Sequence, residues 1–73
     1  MHAFPAINFA FGSRLRQMRL SRRMCEVDLA FHLGISRSHL EDIESGFAPV
    51  DLAMLVILSS VLGLGIPDLL RGI

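Results

Sequence analysis

Cysteine is almost missing from this chain: Cys25 stands alone among 73 residues, which excludes an internal disulfide and a cysteine-rich zinc site. Long apolar runs are missing too. The longest, Leu52 to Leu58, is seven residues, against about 20 needed to span a bilayer. The opening Met1-His2-Ala3-Phe4-Pro5 lacks the basic stretch of a secretory signal peptide, so a cytoplasmic protein without membrane attachment is expected. Net charge is zero and the isoelectric point is near 6.8, which argues against indiscriminate affinity for phosphate-rich polymers. No internal repeat, low-complexity stretch, interdomain linker or strand-like alternation is visible, and residues 1–73 read as one domain.

What is present is apolar and unevenly charged. Hydrophobic residues make up 52% of the chain and charged residues only 19%, a surplus that implies some apolar surface meets a partner. A domain this small buries only about 60% of its unfolded surface, so such an interface would add stability. The charge divides sharply. Residues 1–25 hold five arginines and no acid, whereas the remainder holds Arg37 and Arg71 against seven acids.

The periodicity is helical throughout. Ile7, Phe11, Leu15 and Met18 are spaced by four, four and three, which predicts a first helix from about Asn8 to Leu20 with these residues inward and residues 1–7 as an N-terminal arm. Arg16, Arg19 and Arg23 fall on a neighbouring, more exposed face. A short second helix starts near Glu26 with Leu29, Ala30 and Leu33 inward, and Gly34 is placed to end it. Ser36 is a good N-cap for a third helix with Leu40 and Ile43 inward, which Gly46 terminates. Asp51 caps a fourth helix running to Leu62, and Gly63 and Gly65 precede a last short helix with Pro67 and Asp68 in its first turn. The result is an all-α chain of five helices. Its second and third helices, joined by the tight turn Gly34-Ile35-Ser36, form a helix-turn-helix over about 26–45.

Arg14-Leu15-Arg16-Gln17-Met18-Arg19, Asp28-Leu29-Ala30, Leu33-Gly34-Ile35-Ser36-Arg37-Ser38-His39-Leu40 and Ile43-Glu44-Ser45-Gly46, at these mutual spacings, resemble the Cro/C1-type (lambda-repressor-like) helix-turn-helix family. The likeness extends over roughly residues 9–71. It implies a bacterial or phage transcription regulator, most simply a repressor, whose partner is double-stranded DNA and which works as a homodimer. By position, Arg37, Ser38 and Asp42 should face base edges: Arg37 as a bidentate donor to guanine, Ser38 as donor or acceptor, Asp42 as acceptor from an amino group. Phosphate contacts would fall to Arg14, Arg16, Arg22, Arg23 and His39. The resemblance also pairs Arg19 with Glu44 as a structural ion pair.

Several residues depart from the family's pattern. Cys25 and Glu26 open the second helix where a polar residue and glutamine are common, the third helix carries Glu41, Asp42 and Glu44, and the loop after the third helix is Phe47-Ala48-Pro49 rather than basic. A rival reading therefore stays open: an interaction module, antitoxin-like, co-repressor or anti-repressor, that binds a second regulatory protein.

The fourth helix is apolar on every side for two turns. Leu52, Leu55, Val56 and Leu62 are expected to close the core, and Met54, Ile57, Leu58 and Val61, with Leu64 and Ile66, to form the dimer interface. The alternative is that Phe4, Ile7 and Phe9 fold back over that patch within one subunit. Asp28 and His32, four apart, lack a third ligand or a nucleophile, so neither a metal, a cofactor nor an enzymatic activity is expected. Met18, Met24 and Met54 read as packing residues.

Overall fold

The computed structural model describes residues 4–73, with side chains from Ala6 onward, and among these every regular element is a helix. In chain order they are α1 (Phe4–Ser21), α2 (Glu26–Leu33), α3 (Arg37–Glu44), α4 (Leu52–Leu62) and α5 (Ile66–Leu69). α1 packs on α3, α2 lies against α3 and α4, and α4 carries α5.

The helix boundaries follow local chemistry. α1 ends where Arg23 takes a left-handed φ of 56°, its N–H donating to the Leu20 carbonyl. Gly34, at φ 71° just past α2, donates to the carbonyls of Ala30 and Phe31, and Ile35 N–H also reaches the Ala30 carbonyl. The turn thus satisfies the helix end and redirects the chain within three residues. Ser36 then accepts the His39 N–H at 3.0 Å and Asp51 accepts the Met54 N–H at 2.8 Å, each fixing a helix start. Cys25 occupies the N-cap of α2 without a side-chain bond.

The core joins Phe11, Leu15 and Met18 of α1 to Leu29, Ala30 and Leu33 of α2, Leu40 and Ile43 of α3, and Leu58, Leu62 and Leu69. Two glycines set how closely α1 approaches the end of α3. A Cβ on Gly12 would lie 2.2 Å from the Ile43 carbonyl oxygen and 2.7 Å from that of Glu44. One on Gly46 would lie 2.7 Å from Phe9 Cα.

Three expectations are corrected here. α1 starts at Phe4, so residues 4–7 are helical rather than part of an arm; Pro5 suits a first helical turn, and the backbone contact of Phe9 with Gly46 anchors this part of the helix. Ile7 is half exposed, because it lies more than a turn before the crossing at Gly12. The faces of α4 are partly redrawn: Leu62 is 3% exposed, in the core as expected, but Leu58 is 0% exposed, whereas Leu52 is 70% and Val56 54% exposed. Leu58 is therefore core and cannot line an interface. Met54, Leu55, Ile57, Val61, Leu64 and Ile66 are partly buried against the core. A helix apolar on all sides carries no pattern that selects its inward face; docking against α2 and α5 selects it. Ile7 and Phe9 stay exposed on α1 and do not cover this helix, while the Phe4 side chain lies outside those described.

Gly12→Ala should lower stability by roughly 1–3 kcal/mol through overpacking, visible as a fall in Tm of about 4–8 °C per kcal/mol in a domain this size. Thermal unfolding followed by circular dichroism measures it, and an unchanged Tm would show that the crossing can relax.

Candidate nucleic-acid interface

The exposed side of α3 is built at its N-terminus. Ser36 caps the helix, so Arg37 and Ser38 in the first turn project from a fixed backbone; both are exposed, as are Glu41 and Asp42 one turn on, while His39 is half-buried. Ser38 Oγ lies 3.3 Å from Ser36 Oγ. Arg37 is engaged: its Nη1 donates to Glu26 Oε1 at 3.0 Å, with side-chain exposures of 52% and 23%. Glu26 opens α2, where the positive end of the helix dipole favours a carboxylate.

Behind this surface sits a buried ion pair. Arg19 and Glu44 are 5% and 4% exposed, and the guanidinium meets the carboxylate twice, Nε to Oε2 at 2.7 Å and Nη2 to Oε1 at 3.1 Å. Its remaining terminal nitrogen, Nη1, donates to the Met24 carbonyl at 2.8 Å. Arg19 thus lies inside the subunit and not on the exposed face assigned to it from periodicity alone. The hydrogen bond to Glu44 raises the pKa of Arg19 above the ordinary arginine value, with burial opposing it more weakly. A raised pKa on a cation means its stabilising contribution is complete below the unfolded value and is lost only above the arginine range. Arg19 therefore remains charged at every pH the fold meets.

The remaining arginines divide by structure. Arg14 donates from Nε and Nη2 to the Asp68 carbonyl at 3.1 and 2.7 Å, and Arg22 donates from Nε to the Leu62 carbonyl at 2.9 Å. Both acceptors lie at helix C-termini, whose negative dipole end attracts cations. Arg14 and Arg22, expected at phosphates, are therefore engaged in helix capping. Arg16 and Arg23 are exposed, and their side chains make no hydrogen bond to other described residues. Sequence reasoning missed both capping contacts, because each joins residues 40 or more positions apart. The His32 ring Nδ1 lies 2.8 Å from the Asp28 backbone carbonyl.

With this geometry in place, comparison with known proteins identifies the framework. A model described as "Helix-turn-helix domain" matches residues 10–71. The chain belongs to the helix-turn-helix domain family. This helix-turn-helix chain is 38% identical over 65 residues to Control protein C.BamHI of Bacillus amyloliquefaciens, covering 88% of the chain and 80% of that protein. It is 39% identical over 62 residues to an SPbeta prophage-derived HTH-type transcriptional regulator, YonR, of Bacillus subtilis, covering 85% of the chain and 57% of that protein. Among solved structures, the restriction-modification controller protein C.AhdI of Aeromonas hydrophila superposes with a TM-score of 0.83 at 31% identity, covering 93% of this chain and 99% of that one. The helix-turn-helix itself is α2, the Gly34–Ser36 turn and α3.

Replacing one partner of the buried pair, Arg19→Met or Glu44→Gln, should remove about 3–5 kcal/mol, since it strands a buried polar group, whereas Arg19→Met with Glu44→Leu should recover most of the loss. Urea midpoints of the three variants check this; single variants as stable as the double would show that the pair is not needed to seat α3.

Proposed function

We propose that this chain is a sequence-specific DNA-binding transcriptional regulator that inserts the N-terminal turn of α3 into the major groove and acts as a homodimer. The observation that carries the reading is the capped start of α3, which fixes Arg37 and Ser38 in solvent on a framework shared with a control protein and a restriction-modification controller. Arg37 can reach guanine, Ser38 either a base or the backbone, and Asp42 an exocyclic amino group. Phosphate contact falls to Arg16 and Arg23, with His39 contributing when protonated. Arg14 and Arg22 stand apart, since a phosphate would have to draw them from the carbonyls they cap. Such a regulator works where the genome is accessible, and no described helix is long and apolar enough to cross a membrane.

The dimer face is best supplied by Leu52 and Val56, four apart on one side of α4 and both exposed. Met54, Ile57, Val61, Leu64 and Ile66 contribute only their partly exposed edges. Such a pair places two recognition helices about 34 Å apart on a palindromic site, and a dimer seated over a promoter represses by exclusion. A protein-binding role is the second reading, favoured by the acidic Glu26, Glu41 and Asp42 around Arg37.

Fluorescence anisotropy with duplex DNA tests the reading: binding should weaken steeply with salt and collapse with Arg37→Ala. Absence of any binding below about 100 μM at low salt would leave the protein-binding role in its place. Light scattering should find twice the 8.1 kDa chain mass, and Leu52→Glu with Val56→Glu should return a monomer. A wild-type monomer at high concentration would refute the dimer.

A further inference from the structure

The contact between Glu26 and Arg37 joins the first residues of α2 and α3, and it occupies the one arginine on the exposed side of α3. A guanidinium offers five N–H donors in a planar fork. Here Nη1 is held by the carboxylate, while Nε and Nη2 bond to no other described residue. Those two donors form a parallel edge matching the adjacent O6 and N7 acceptors of guanine. The second carboxylate oxygen of Glu26 also accepts no bond from described residues, which leaves it able to receive an amino hydrogen of cytosine or adenine.

The surrounding charge bears on what the contact does. Glu41 and Asp42 are exposed on α3, so Arg37 is its only permanent cation, and a free Arg37 would be drawn to any nearby phosphate. Exposed ion pairs add little to stability, so fold maintenance is a poor reason for this one. Resting on the DNA-binding reading above, we propose that Glu26 is a specificity-determining residue. It holds the fork of Arg37 with its Nε–Nη2 edge free for guanine, and it cancels the charge that would otherwise bind phosphate regardless of sequence.

Duplexes are first selected by the wild-type protein from a randomised pool. Wild type, Glu26→Gln, Glu26→Ala and Arg37→Ala are then compared by anisotropy on selected and scrambled duplexes at two salt concentrations, with melting curves confirming that each is folded. Both Glu26 variants should bind scrambled duplex more tightly and with a steeper salt dependence, by one extra phosphate contact. Their preference for the selected guanine should fall about tenfold, the scale of one bidentate contact. Arg37→Ala should abolish that preference. Glu26 variants whose selected-to-scrambled ratio stays within twofold of wild type overturn the proposal, as does a guanine preference that survives Arg37→Ala. Failure of the wild-type protein to enrich any duplex is a different result: it removes the DNA-binding reading itself, before any variant is compared.

Discussion

The position of α3 depends on the buried pair of Arg19 and Glu44. Glu44 is the last residue of α3, and its carboxylate is enclosed by the subunit, a placement that a lone anion could not hold without severe desolvation. Arg19 answers it with two hydrogen bonds and extends a third to Met24, in the segment leading to α2. One guanidinium thereby joins the end of α1, the entry to α2 and the exit of α3. Gly12 brings the backbones close at the same place, since its missing side chain admits the carbonyls of Ile43 and Glu44. With its C-terminus fixed by charge and contact, and its N-terminus by Ser36, α3 has little freedom to tilt.

The lopsided charge of the chain takes on a different meaning once the side chains are placed. Of the five arginines before Glu26, Arg19 is interior, Arg14 and Arg22 satisfy carbonyls at the ends of α5 and α4, and Arg16 and Arg23 remain in solvent. Much of the positive excess is therefore architectural: it ties the first helix to the C-terminal half. Helices as short as α5 are marginal alone, and a cation at the terminal carbonyls complements the packing of Leu69 in holding it.

Helix positions were legible in the sequence because caps and glycines are local signals. Ser36, Asp51, Gly34 and Gly63 act within a turn of their own position, and the boundaries they mark are those observed. The start of α1 was less legible, since its inward spacing begins only at Phe11 and the contact that anchors the earlier turn is made through Gly46, far along the chain. The inward face of α4 was legible only at its end, where Leu62 is buried as expected: from Leu52 to Leu58, seven consecutive apolar residues give every rotation the same hydrophobic return, and only the shapes of α2 and α5 distinguish Leu58 from Leu52 and Val56. Around α3, exposure of Arg37 and Ser38 follows from position after the cap. The partnership of Arg37 with Glu26 does not, because it joins two helix starts eleven residues apart that no periodicity connects.

The bond from Arg14 to the Asp68 carbonyl couples the last helix to the electrostatics of the whole surface. Removal of α5, by proteolysis or by a disruptive fusion at that end, would do more than expose Leu69: it would release a half-buried guanidinium that the intact subunit keeps occupied. A trimmed protein would carry an additional mobile cation on α1 and cling to polyanions more readily than the whole chain, so sticky behaviour in a degraded preparation would report damage at the far terminus rather than the binding properties of α3.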